Sequence, residues 1–151
     1  MKKLIILLLL LCLVAAASAE DEMFILCRPT TEINVRLSPK FGAEIIGHLY
    51  LGSVVHPDGK KKNGFVHVVD LGFECMEGWI YGGLLVSTPP EAREQRMQIQ
   101  ANGRVAARQY INGKRNKWLR SGKEVVVYAI SQEWSITDCG YIQTEFLCQV
   151  P

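Results

Sequence analysis

The residues with which this chain would do chemistry are three histidines, five cysteines, a basic run and a scatter of aromatics. His48, His56 and His67 share one half of the chain with Cys75, the raw material of a zinc set. Structural zinc sites draw on closely spaced ligand pairs, and this spacing is irregular, so no metal is expected. A Cys75 nucleophile with His67 as its base is the other sharp possibility. No Gly-x-Ser-x-Gly elbow, His-Glu-x-x-His helix or phosphate-cradling glycine loop accompanies it. The expectation is a non-enzyme without a cofactor. Lys114-Arg115-Asn116-Lys117-Trp118-Leu119-Arg120 pairs phosphate-binding charge with an aromatic. In an exported protein the partner would be an anionic wall polymer, a membrane surface or an acidic protein rather than nucleic acid. A solvated loop with Trp118 turned inward is the plainer reading.

Export is what the first residues imply. Lys2 and Lys3 precede an apolar run from Leu4 to Val14, and Ala17-Ser18-Ala19 is followed at once by Glu20-Asp21-Glu22. This is the pattern of a cleavable signal peptide over 1–19 and of a periplasmic or extracellular product. The run is shorter than the roughly 20 apolar residues of a membrane helix, and none is expected in the mature chain. Cys27, Cys75, Cys139 and Cys148 would remain, an even number that reads as two disulfides in an oxidising compartment. Cys27–Cys75 and Cys139–Cys148 is the one pairing that stays within each half. Residues 20–92 carry 6 basic and 10 acidic side chains, and residues 93–151 carry 9 and 5, so the halves have opposite net charge. The halves would attract each other, or a charged partner would favour one of them.

The elements that must position these groups occur twice. Ile33-Asn34-Val35-Arg36, Leu49-Tyr50-Leu51-Gly52 and Gly78-Trp79-Ile80-Tyr81-Gly82-Gly83-Leu84-Leu85 are followed, in order, by Val105-Ala106-Ala107-Arg108, Leu119-Arg120-Ser121-Gly122 and Gly140-Tyr141-Ile142-Gln143-Thr144-Glu145-Phe146-Leu147. A repeat of this size means two small copies of one fold. Each copy reads as short strands separated by turn residues, with strong candidates at 124–130, 134–137 and 141–143 and a polar tip over 58–64. No helical period is sustained after the signal. Residues 20–86 and 97–151 are assigned to the two copies. Residues 87–96, opening on Pro89-Pro90, are assigned to a linker that is semi-rigid at its start, with a short helical turn possible over Glu91–Arg96. Short strands that would otherwise leave exposed edges favour a closed barrel in each copy. Trp79 and Tyr141, in the Gly-aromatic-Ile position, are expected in the barrel wall. Phe65 and Trp134 follow turns and are expected half exposed.

The order Val-Arg, Leu-x-x-Gly before a valine strand, Asn-Gly-aromatic and Gly-Trp-Ile with a nearby Leu resembles the bacterial SH3-like (SH3b) domain. The first copy carries it at Val35, Arg36, Gly47, Leu49, Gly52, Val54, Asn63, Gly64, Phe65, Val68, Gly78, Trp79, Ile80 and Leu85. The second carries it at Ala107, Arg108, Leu119, Gly122, Val125, Trp134, Gly140, Tyr141, Ile142 and Leu147, and departs more, lacking a counterpart of Pro39. The resemblance covers most of residues 24–148. It implies an all-β protein, two tandem small SH3-like β-barrels joined by a short Pro-containing linker. It also implies a role in holding a protein to bacterial cell wall or to a peptide. In such barrels the early loop and the next hairpin tip border a shallow groove, and Phe41, Phe65, Tyr110 and Trp134 are the expected ligand contacts. Peptidoglycan or a cell-wall peptide is the expected partner, bound by one or both copies. The alternative is a structural or regulatory partner of another envelope protein.

Overall fold

Residues 21–72 and 77–151 are described by the computed structural model. Residues 1–19, expected to form a signal peptide, and Cys75 therefore lie outside the described residues. The first half is built from β1 (Met23–Ile25), β2 (Ile33–Arg36), β3 (Ile45–Leu49), β4 (Val54–Lys62), β5 (Phe65–Val69), β6 (Glu77–Tyr81) and β7 (Leu85–Val86). The second comprises β8 (Glu91–Ile99), β9 (Arg104–Arg108), β10 (Arg115–Arg120), β11 (Glu124–Ile130), β12 (Trp134–Thr137), β13 (Gly140–Gln143) and β14 (Leu147–Gln149). Among the described residues the strands pair antiparallel. Each half forms a seven-stranded sheet, in the orders β3-β2-β6-β5-β4-β1-β7 and β10-β9-β13-β12-β11-β8-β14. The two orders are the same once each strand is matched to its counterpart, so the sequence repeat is a repeat of topology. Among the described residues no helix is long and apolar enough to cross a membrane.

Matching hydrogen bonds show why the repeated residues recur. Gly52 and Gly122 adopt φ of 80° and 84°, which glycine reaches without a Cβ penalty, and their N–H groups donate to Ile25 and Ile99, each at 2.8 Å. Arg36 Nη1 donates to the carbonyl of Ala43 and Arg108 Nη1 to that of Gly113, both at 2.9 Å. The recurring arginine thus braces the loop that follows its own strand. A 3₁₀ turn, Gly82–Leu84 in one half and Thr144–Phe146 in the other, then returns the chain to the start of its sheet.

Three expectations are corrected. The sheets stay open: among the described residues β3 pairs only with β2, and β7 only with β1. β7 has two residues and β14 three, too little to bridge to the far edge after the 3₁₀ turn. Residues 91–96 are not linker. They begin the nine-residue β8, whose charged side chains face outward while its backbone pairs with β11 and β14. Only residues 87–90 separate β7 from β8. The third correction concerns the disulfides. Cys139 and Cys148 are free thiols, Cys139 buried in the second core near Val125 and Ile142, and Cys148 on β14 with its thiol toward the Gln98 carbonyl. The Cys27–Cys75 pairing involves Cys75 and so lies outside the described residues; Cys27 itself is buried.

The cores are unequal. Met97, Ile99, Val105, Leu119, Val125 and Ile142 form one wholly within the second half. The larger one gathers Ile25, Val35, Val68 and Ile80 of the first half together with Ile111, Ala129, Trp134, Ile136 and Tyr141 of the second.

Candidate functional site

The junction of the halves is built from three elements. The 3₁₀ turn after β6 presents the Gly83 carbonyl, which accepts the N–H of Ile111 at 2.9 Å and so docks the second half's loop 110–113. The Tyr141 hydroxyl donates to the Leu26 carbonyl at 2.7 Å, and both residues are buried. Burial first, then the nearby Cys27 and Tyr110, raise the Tyr141 phenol pKa well above its ordinary value, so it holds its proton. On the outer side, Ser87 bonds the Glu133 carboxylate and Thr88 accepts the N–H of Gln132 at 3.2 Å.

Along this junction runs a cleft of about 400 Å³. Its aromatic wall is a chain of edge-to-face and tilted contacts: Phe41 with Phe65 at 5.0 Å, Phe41 with Tyr81 at 5.2 Å, Phe65 with Tyr81 at 5.5 Å and Tyr81 with Tyr110 at 4.6 Å. These separations lie in the range where ring quadrupoles attract, so the wall is self-supporting. Gly83 is what lets it close. A Cβ there would come within 2.7 Å of Tyr110 Cβ and 2.8 Å of a Tyr81 ring carbon. The lining also includes the polar Arg28, Glu32, Asn34 and Arg36. Glu32 accepts the Tyr50 hydroxyl at 3.1 Å, and that bond and the carboxylate charge raise the Tyr50 pKa. Arg28 lies 4.4 Å above the Tyr128 ring.

Of the four residues expected to meet ligand, Phe41, Phe65 and Tyr110 come together on this wall. Phe41 is 57% exposed, but Phe65 is buried, its ring backing the others rather than standing half exposed. Trp134 is corrected. It is the counterpart of Phe65, each opening its strand and pairing with β13 or β6 in the same way. Yet it is buried in the core shared by the two halves. The second half's copy of this aromatic position is therefore covered by the first half. Tyr81 completes the wall, a residue that the sequence marks only as part of the repeat. Its signal was the alternation along β6, which puts Tyr81 on the same face as Trp79.

The remaining candidates are dispersed. Cys27 lies on the cleft floor, where burial pushes its thiol up to about 11. His48 faces Glu32 at 3.7 Å. His67 is buried against Trp79 and bonds Asp58 at 2.8 Å. Among the described residues no three potential metal ligands converge. Trp118, expected inward, is 47% exposed.

No protein-family model matches the chain, and no curated protein does. Among solved structures, NlpC1 from Trichomonas vaginalis aligns over 90% of this chain and 49% of its own, at 19% identity and a TM-score of 0.33. NlpC2 from the same organism aligns over 88% and 50%, at 17% identity and the same TM-score. The chain thus spans about half the length of each.

Proposed function

We propose that the chain is an exported, non-catalytic binding module of two SH3-like units whose junctional cleft takes the peptide of a cell-wall glycopeptide, or another extended peptide. The observation that carries this reading is the cleft itself, whose lining combines an apolar aromatic wall with polar groups. That combination suits a chain whose side chains pack on rings while its amides and carboxylates bond those groups. The doubled SH3b-like pattern supports the same reading, because Phe41 and Phe65 fall where such units bind. The state of Cys27 speaks against thiol catalysis there. At a pKa of about 11, only about one thiol in 10⁴ is the reactive thiolate at neutral pH.

The test is retention of the oxidised or reduced mature chain on purified peptidoglycan sacculi, followed by titration with soluble stem-peptide fragments. Phe41→Ala and Gly83→Ala, the second forcing Tyr81 and Tyr110 apart, are expected to weaken binding at least tenfold without unfolding the chain. If sacculi fail to retain the folded protein at low and moderate salt, the wall-ligand reading is wrong and the partner is another envelope protein.

A further inference from the structure

The outer face of β9 and β10 is turned from the second core and carries a chemistry different from that of the cleft's aromatic wall. Leu119 and Val105 pair across the strands and point into that core. Alternation then puts Arg120 and Arg104, which are also paired, and Trp118 opposite Ala106, on the outer face. A bulge between Arg115 and Lys117 lets Arg115 join them, with its guanidinium 4.5 Å above the Trp118 ring. Among the described residues, none of Arg104, Arg115 and Arg120 has a carboxylate within ion-pair distance. Small Ala106 leaves the indole standing clear of its neighbour. The counterpart face in the first half carries His48 opposite Asn34, with Glu32 nearby, so the basic strip is not a property of the fold.

Charge on an edge strand ordinarily guards against pairing with other chains. A guard needs no exposed indole, and an exposed indole works against it. We infer that this face binds an anionic polysaccharide. A sugar ring would lay its C–H face on the electron-rich face of Trp118, while Arg104, Arg115 and Arg120 take the carboxylate, sulfate or phosphate groups of adjoining residues in two-pronged hydrogen bonds. Outward side chains recur about every 6.8 Å along a strand, so ring and anion contacts alternate as they do along a charged glycan. A single indole gives little to bury in a bilayer, and the repeated guanidinium groups suit the anionic groups of a polysaccharide better than an apolar peptide side chain.

The experiment titrates the full mature chain with polygalacturonate, neutral dextran and poly-L-glutamate, following tryptophan fluorescence at several salt concentrations. The expected result is salt-sensitive binding of polygalacturonate, none of dextran, and markedly weaker binding of poly-L-glutamate. Arg115→Gln with Arg120→Gln should weaken polygalacturonate binding at least tenfold. Trp118→Ala should weaken it several-fold while leaving poly-L-glutamate unchanged. Lys61→Gln with Lys62→Gln removes the same charge elsewhere and should change nothing, and thermal melts of all variants confirm folding. No binding of polygalacturonate, equal affinity for poly-L-glutamate, or an equal loss from the Lys61/Lys62 variant would each overturn the inference. The cleft plays no part in this test, since Phe41→Ala should leave it unaffected.

Discussion

Replacing Tyr141 with phenylalanine removes one oxygen atom from the junction and nothing else. The ring stays, so the large cavity cost of an alanine substitution does not arise. What is lost is the 2.7 Å hydrogen bond to the Leu26 carbonyl, at a residue with 0% exposure. A buried hydrogen bond contributes about 1 kcal/mol net where water can replace the lost partner, and up to about 3 kcal/mol where its acceptor is left stranded. The N–H of Leu26 is already committed to the Leu84 carbonyl at 2.9 Å. The expected loss is therefore about 1–3 kcal/mol, a fall in Tm of roughly 4–10 °C for a chain of this size. Because burial raises the phenol's pKa, the group is neutral on both sides of the comparison and the loss should be constant from pH 6 to 9. Urea denaturation followed by circular dichroism and fluorescence is the assay. The shared core predicts one transition for the wild type by both probes. Two separate transitions, with a Tyr141→Phe effect below about 0.3 kcal/mol, would refute the argument that the halves fold as one unit.

Two further outcomes follow from the geometry. Burial opposes ionisation of Asp58, but hydrogen bonds from Lys60 and His67 more than offset it and bring its pKa down to about 2. A depressed carboxyl stabilises the fold above its unfolded pKa near 3.9 and loses that contribution as pH falls toward 2, so Asp58→Asn should flatten the acid limb of a stability-against-pH curve over that interval. Alkylation of the unfolded, unreduced protein followed by mass mapping should modify both Cys139 and Cys148, whereas native alkylation at pH 8 should reach half-buried Cys148 well before buried Cys27.

The strands of the second half were legible because their patterns are local. Glu124–Ile130 is a run dominated by β-branched and aromatic residues, and the turn residues on either side of Trp134–Thr137 and Gly140–Gln143 mark those ends to within a residue. β8 was not legible. Glu91-Ala92-Arg93-Glu94-Gln95-Arg96 has almost nothing to bury, and its strand geometry comes from the neighbour it pairs with, Val126–Ile130 of β11. Such a segment is extended because its backbone is paired, a cause that lies outside its own side chains. The burial of Trp134 was hidden for a related reason. The Ser131-Gln132-Glu133 turn before it is locally a surface feature, and the cover comes from the other half of the chain. The recurring arginines were visible as a motif, but their work of bracing a loop carbonyl becomes visible only when Ala43 and Gly113 are placed beside them.

That cover explains why two copies of one topology do not present the same aromatic face twice. A face opened by an aromatic at the head of β5 or β12 is apolar in both halves, and an isolated pair would expose two such faces. Here the second face is spent on the junction. Ile111, Trp134, Ile136 and Tyr141 bury against the first half, and fully burying side chains of this size contributes on the order of 1.5–3 kcal/mol each. The same docking carries Tyr110 to within 4.6 Å of Tyr81 and sets loop 110–113 on Gly83, so the second half supplies part of the wall of the first half's groove. The cleft is thus a property of the pair. Cutting the chain between β7 and β8 would both uncover an apolar face and remove the ring that completes the site, which is why binding and stability should fail together in a separated first half.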